Sequence, residues 1–455
     1  MFLKMGFNKA NQLDLIIIKR SVREGLLLAS RGNCHTMRSL SRRRVGWVLV
    51  AIAVVVVVLS LGGTALVASP IEKTDDPRYG VTLATGQSDG VVTAFDGTGD
   101  VIWSHDVGDK AFDATRLDDG TILTAVTYED VEDCGRFDPP CGQTGFQIID
   151  PKPEPRVVRE WTYPVGTAHN SEVHDVEQLP SGEIIVVDME YESLFTVAED
   201  GSVTWRWNAS ERYTEPADPT TTDWLHINDV DTLGDGRYLV SVRNADELLI
   251  VERGEGVVEV IEGVANGRAD RVLFEAQHNP QYLGDGALLV ADSENDRIVE
   301  VHREDNEWTI AWSIASANGL AFDWPRDADR LENGNTLIAD SRNHRVVEVA
   351  PNGSTAWSVR GPHLVYEADR LPKGERVGAQ RYSDAVGRDG PSLDDRDDFL
   401  PFDGGLPLFG TIHESLTHVV RVPYWLLPWH LAVIAAAVPT AVIGLALVWR
   451  GRSGE

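Results

Sequence analysis

Three histidines recur in one local setting. "SEVHDVEQLPSGEIIVVDM" surrounds His174, "DWLHINDVDTLGDGRYLVSVR" surrounds His226, and "EAQHNPQYLGDGALLVADS" surrounds His278. Each histidine stands ahead of an acidic hairpin with a glycine in its turn. Imidazole changes charge near neutral pH, so it can serve there as nucleophile, proton carrier or metal ligand. Three imidazoles are enough for a catalytic zinc with one open position. Two arginines argue against a metal. Arg243 ends the hairpin that follows His226, and Arg326 stands one repeat after His278 at the same position. Guanidinium groups repel a dication and attract an oxyanion. The group therefore reads as a site that passes a charged group through a histidine, with no metal and no cofactor.

A repeat must bring these residues together. "DATRLDDGTILTAV" begins at Asp113, "DVEQLPSGEIIVVD" at Asp175, "DVDTLGDGRYLVSV" at Asp229, "NPQYLGDGALLVAD" at Asn279 and "DADRLENGNTLIAD" at Asp327. A truncated copy, "EADRLPKGE", begins at Glu367. Later strands of these units end near Trp205, Trp312 and Trp357. Short strands recurring at a period near fifty predict a β-propeller with about four strands per blade. Residues 79–105 carry the later strands of a unit without its opening strand, and the last copy carries the opening strand alone. Together they complete one blade, which closes the ring and leaves no bare sheet edge. The expected fold is all-β, a six-bladed propeller.

The first strand of each blade lines the axial channel. The residue before each repeat's opening Asp, Asn or Glu then lies at the channel mouth: Phe112, His174, Asn228, His278, Arg326 and Tyr366. His226 lies two residues earlier in its blade, and the turn at Gly234-Asp235-Gly236 returns Arg243 beside it. A lone histidine in such a repeat usually bridges a loop to the next blade. Three at one mouth, with two arginines, suggest a site facing a wet channel. His302, His344 and His363 fall outside this ring and read as surface residues.

Two apolar runs flank the repeats. Residues 45–68 and 424–449 are each long enough to cross a bilayer core of roughly 30 Å. Arg42, Arg43 and Arg44 precede the first, and Arg450 and Arg452 follow the second. Because basic residues stay cytoplasmic, both termini are expected inside and the propeller outside, with the first run an uncleaved anchor. The organisation expected is a basic N-terminus (1–44) whose true start is Met37, a membrane helix (45–68), the propeller (72–378), an acidic linker (379–420), a second membrane helix (424–449) and a short tail (450–455). Net charge is −30, although residues 1–71 hold ten basic and two acidic side chains. The middle of the chain therefore carries all of the deficit, which excludes nucleic acid as a partner. Dense hydrated surface carboxylates also suit a protein working in high salt. Cys134 and Cys141 bracket "GRFDPP" and are expected to pair in an oxidising exterior, while Cys34 lies in the N-terminal stretch. Asn208 and Asn352 stand in glycosylation sequons.

At "WLHIND", "LVSVR", "QHNPQYL" and "HDVEQL" the chain resembles the arylsulfotransferases, cofactor-independent enzymes that move sulfuryl groups between phenols. The resemblance spans roughly 78–376. It implies a six-bladed propeller with a histidine nucleophile at the mouth, His278. It also implies that His226 and Arg243 bind the sulfuryl oxygens and that His174 assists proton transfer. Arg326, Asn228 and Tyr366 complete the substrate-binding set. The expected partners are then a small aryl sulfate and a phenol. The two apolar helices, and the lack of a separate N-terminal β-domain, depart from the better-known members. A second reading is a non-catalytic exterior propeller that binds an anion or a partner protein. A quinone-dependent dehydrogenase ranks third, because those enzymes use more blades and dedicated tryptophan-docking repeats.

Overall fold

The six opening strands of the repeats do stand around one axis. This is a computed structural model describing residues 41–67, 80–167, 169–263, 272–284, 286–382, 407–423 and 425–452. Six four-stranded antiparallel sheets form the blades. Blade 1 spans residues 110–165, blade 2 176–208, blade 3 227–262, blade 4 278–314 and blade 5 325–360. Blade 6 takes its inner strand from Val365–Arg370 and its other three from residues 82–106. Ala84 faces Ala368, and Thr82 faces Arg370. The chain ends thus close the ring as the split repeat requires.

Middle strands such as Ile184–Asp188 and Thr336–Asp340 are buried along their whole length. They show no alternation, because each blade is covered on both faces by its neighbours. Water reaches the outermost strands, where Val101, Ile102 and Val203 are exposed. Trp207, Trp312 and Trp357 pack inward between blades. Cys134 and Cys141 are disulfide-bonded across the long hairpin of blade 1.

The acidic repeat has a structural purpose at the axis. Asp175 accepts the Val230 amide of the next blade at 2.7 Å, and Asp327 accepts the Ala368 amide at 2.9 Å. One step further along the strands, Glu177 accepts Thr232 N–H at 2.8 Å and Gln281 accepts Arg330 N–H at 2.7 Å. At these junctions the inner strand is tied to the next by a side chain rather than by a ladder. Blades 1 and 3 depart from this, and Asp113 Oδ2 has no hydrogen-bond partner. The residue facing Asp229 in blade 4 is Pro280, which has no amide hydrogen to give, and Asp229 Oδ2 has no hydrogen-bond partner. Asp113, Asp175, Asp229, Asp231, Asp327, Asp329 and Asp369 are all buried. Some of the carboxyl groups that the sequence suggested were surface therefore line the axis, buried from bulk solvent. Large rings close its mouth, with Phe112 and Tyr366 in edge contact at 5.2 Å.

Among the described residues three α-helices lie outside the blades: α1 (Arg42–Val67), α2 (Pro407–Val419) and α3 (Pro428–Arg452). Both α1 and α3 are long and apolar enough to cross a membrane. Two compact units emerge, one of residues 57–434 and one combining α1 up to Val56 with α3 from Ala435. In the second unit the helix backbones meet at Gly46 and Gly444, where a β-carbon on either would overlap the other's carbonyl oxygen. The proposed start at Met37, Cys34 and most of the expected acidic linker lie outside the described residues. Packing continues beyond the expected propeller boundary at 378, since Tyr382 is buried and donates to the Gly334 carbonyl at 2.9 Å.

Burial pushes the Asp175 carboxyl up to about 8, with Glu177 adding to the effect. It also lifts Asp327 to about 8 and Asp369 to about 6. At neutral pH the folded ring holds protons that the unfolded chain, with carboxyl pKa values near ~4, has released. That stabilisation is complete below about pH 4 and is lost as pH rises through about 6 to 8. The thermal midpoint should therefore fall between about pH 5 and about pH 9 when followed by circular dichroism at fixed salt. Asp175→Asn, which keeps an acceptor for Val230, should flatten that fall. A midpoint that climbs over the range would contradict a buried proton-holding ring. Closure makes a separate prediction: a chain ending at residue 363 lacks the inner strand of blade 6 and should lose cooperative unfolding, as read by calorimetry.

Candidate active site

Phe112, His174, Asn228, His278, Arg326 and Tyr366 are all buried at one end of the axis. The His174 ring lies 4.5 Å from Phe112, 5.0 Å from His226 and 5.4 Å from Tyr366. Tyr366 is also 6.0 Å from His278, and the Arg326 guanidinium stands 5.0 Å over its ring. Tyr366 is thus the centre on which the histidines and Arg326 converge. Arg243 joins them through the backbone, its N–H donating to the His226 carbonyl at 3.2 Å.

The backbone that aims these groups is unusual. His226, Ala276, Trp324 and Leu364 occupy one repeat position, two residues before the mouth residue, and all four adopt left-handed φ values of 46–55°. Such a conformation is unfavourable for bulky residues and persists only where neighbours hold it. The preceding blade does so. Glu192 accepts His226 N–H at 2.7 Å, Asp246 accepts Ala276 N–H at 2.7 Å, and Asp296 accepts Trp324 N–H at 2.8 Å. In blade 5 the acceptor is His344 Nδ1, which takes the Leu364 N–H at 3.1 Å. His344 is therefore a buried structural residue and not a surface one. His302 is likewise buried, 2.6 Å from Glu300, because the third strands face a neighbouring blade. His363 is half-buried, with its ring 4.9 Å from His344.

His278 has a defined tautomer. Its Nδ1 lies 3.1 Å from the Ala276 carbonyl, which can only accept, so Nδ1 carries the hydrogen. The same nitrogen lies 2.9 Å from Ser293 Oγ, and that hydroxyl donates to the Pro325 carbonyl at 2.7 Å. The remaining nitrogen, Nε2, keeps its lone pair. Burial pushes the His278 pKa well below the usual imidazole range, and the Arg326 and Arg243 charges push it further. Neighbouring Gln277 braces the blade junction by donating to Ser241 Oγ at 3.1 Å and the Glu247 carbonyl at 3.0 Å. Asn228 donates to the Gln277 carbonyl at 2.9 Å, which leaves its Oδ1 without a partner.

The other two histidines differ from His278. Asp223 Oδ1 lies 2.8 Å from His226 Nδ1, and this contact partly offsets the lowering of its pKa by burial. His174 has no carboxylate partner, and its Nδ1 is buried without a hydrogen bond. Burial, then repulsion from His226 in its protonated form and from Arg326, holds its pKa well below the ordinary value. Arg326 is itself buried, donates to Gln87 Oε1, and has its pKa pushed down to about 9 by desolvation. Trp324 lies between two guanidinium groups, 3.8 Å from Arg326 and 4.2 Å from Arg342.

Sequence reasoning missed Asp223, Ser293, Trp324 and Arg342. Trp324 stands to Arg326 as His226 stands to Asn228, so the repeat held its signal. Asp223, three residues before His226, was also readable as an imidazole partner. Ser293 and Arg342 follow the second strands at the position of Arg243 or one beyond it, and the repeat alone did not single them out. Among the described residues, no three His, Cys, Asp or Glu side chains are grouped to hold a metal ion.

Because its pKa is depressed, His278 should remain neutral at about pH 6, where an unperturbed imidazole is mostly charged. Nitrogen-15 NMR of labelled protein should show a protonated Nδ1 and a bare Nε2 on that residue. Titration of His278 near about pH 6.5 would contradict the geometry.

Comparison with known proteins comes from two directions. Residues 208–361 match the model of the family described as arylsulfotransferase (ASST). No curated protein matches the chain. Similar solved structures include a protein of unknown function from Bacteroides caccae, with 14% identity over 63% of this chain and 97% of that one and a TM-score of 0.47. A putative 6-phosphogluconolactonase from Bacteroides fragilis has 11% identity over 66% and 100%, with a TM-score of 0.41. Virginiamycin B lyase from Staphylococcus aureus has 11% identity over 63% and 82%, with a TM-score of 0.38. Over blades 3 to 5, which carry His226, Asn228, Arg243, His278 and Arg326, the chain is similar to the arylsulfotransferases.

Proposed function

We propose that this chain is a sulfotransferase, moving a sulfuryl group from an aryl sulfate ester to a phenolic acceptor through a sulfohistidine at His278. The observation that carries this reading is the His278 ring itself: Nδ1 is committed to Ala276 and Ser293, and a neutral Nε2 lone pair remains beside two guanidinium groups. Such a nitrogen needs no separate base to attack sulfur. The family match over residues 208–361 supports the same chemistry.

In the first half-reaction Nε2 bonds to sulfur, and the bond from sulfur to the aryl oxygen breaks. Arg243, Arg326 and the His226 ring hold the sulfuryl oxygens as negative charge builds. Asn228 and Tyr366 complete the wall around the aryl group. The departing phenolate takes a proton from the His174–His226 pair. Asp223 partly offsets the burial of His226, which makes His226 the more basic member of the pair and the one that holds the transferred proton. In the second half-reaction the acceptor phenol returns its proton to that pair, its oxygen bonds to sulfur, and the nitrogen–sulfur bond breaks. The Cys134–Cys141 disulfide supports a propeller in an oxidising compartment, held there by α1 and α3.

Near-complete burial of the mouth ring favours one rival, a propeller that binds an anion without turning it over. Kinetics separate the two. Full-length protein should consume a chromogenic aryl sulfate with parallel-line kinetics against a phenol acceptor. Arg243→Ala should lower kcat/KM by about 10²-fold, in line with loss of one charge-stabilising donor. His278→Ala should abolish transfer while the chain still unfolds cooperatively, at a lowered melting temperature, as read by calorimetry. Full activity in His278→Ala would remove the nucleophile assignment, and no turnover with any aryl sulfate would leave the anion-binding reading.

A further inference from the structure

The C-terminal end of α2 rests on the mouth face of the propeller. His363 Nε2 lies 3.1 Å from the Thr417 carbonyl oxygen, and Arg421 donates to the Gly361 carbonyl. The His363 amide donates to Asp89 Oδ2 at 2.9 Å. Asp89 belongs to the same turn as Gln87, the partner of Arg326. Three contacts therefore link this helix to the mouth ring.

The two sides of α2 differ. His413 and Thr417 are buried. Leu408, Ile412 and Leu416, spaced by four, form one exposed stripe, which Val420 continues just past the helix, and Leu408 is 67% exposed. An apolar stripe of this kind on a short helix is the pattern of a segment lying in a lipid–water interface. The chain that follows points to the same partner. Eight residues beyond Val420 begins α3, which is apolar enough to cross a membrane. Eight residues span at most roughly 28 Å. The His413 Nε2 contact with the Leu426 carbonyl, at 2.6 Å, keeps that connection folded against α2. Trp425 and Trp429 flank the entry to α3, and tryptophan is enriched at the headgroup level.

We propose that α2 is an interfacial helix whose Leu408–Ile412–Leu416–Val420 stripe lies on the lipid surface and holds the mouth face of the propeller toward the bilayer. The mouth ring then receives its ligand from the membrane surface, and the ligand class is an amphiphilic aryl compound that partitions into lipid. This rests on α3 spanning the membrane and on the sulfuryl-transfer reading of the mouth.

The test uses the full chain in phosphatidylcholine nanodiscs, with Cys34→Ser and single cysteines for a fluorophore. Labels at Leu408→Cys, Ile412→Cys and Leu416→Cys should be quenched several-fold more by doxyl lipid than by iodide. Labels at Val101→Cys and Val203→Cys, on exposed outer strands of the blades, should show the reverse. A label at Val442→Cys reports on α3. Iodide quenching of the stripe with lipid quenching at Val442 would overturn the interfacial helix alone. Iodide quenching at both would also overturn the membrane reading of α3. With the stripe changed to serine (Leu408→Ser, Ile412→Ser, Leu416→Ser), transfer to a long-chain alkylphenol should fall about tenfold while transfer to phenol is unchanged. Equal loss with both acceptors would overturn the lipid route, and absence of transfer in the parent would overturn the sulfuryl-transfer reading together with the ligand class.

Discussion

Everything at the mouth depends on where the amide N–H groups of the inner rim find acceptors. Each blade meets the next face to face, so these amides have no ladder partner at the axis. An unpaired buried amide costs on the order of 1–3 kcal/mol. Side chains from the preceding blade supply the acceptors: Glu192 for His226, Asp246 for Ala276, Asp296 for Trp324 and His344 for Leu364. Those bonds hold four residues in left-handed backbone and set the direction from which His226 and Trp324 approach the axis. The capture that joins the blades is the same capture that builds the site.

Electrostatics along the axis follow from this arrangement. Below the mouth, inner-strand carboxylates serve as acceptors and are buried too deeply to stay charged without help, so Asp175 and Asp327 titrate near neutral pH. Above them, Arg243 and Arg326 face the histidines. A low-dielectric site with fixed guanidinium groups keeps an imidazole neutral and favours an anion, two conditions that a nitrogen nucleophile attacking a sulfate ester needs at once. Neither condition depends on a bound ion.

The ring of mouth residues was legible in the sequence because one position per repeat fixes it. His174, Asn228, His278, Arg326 and Tyr366 needed only the alignment on "D-x-x-x-L-x-x-G". Closure was legible too, from two fragments that complete one unit. Burial was not. In a propeller both faces of the inner three strands are covered, so polar residues such as Glu300, His302 and His344 lie inside without any alternation to announce them. The acidic composition misled for a related reason, since a carboxylate that caps the next blade looks the same in sequence as one on the surface. Contacts made across blades, such as Ser293 with Pro325, leave no local pattern.

The most direct measurement of the central claim is mass spectrometry of the intact chain and its peptides, quenched at alkaline pH after incubation with aryl sulfate and no acceptor. The account predicts a single sulfuryl adduct on the peptide containing His278, formed with one equivalent of released phenol and discharged when a phenol acceptor is added. Stoichiometric release of phenol with the adduct on another residue, or with none, would contradict it.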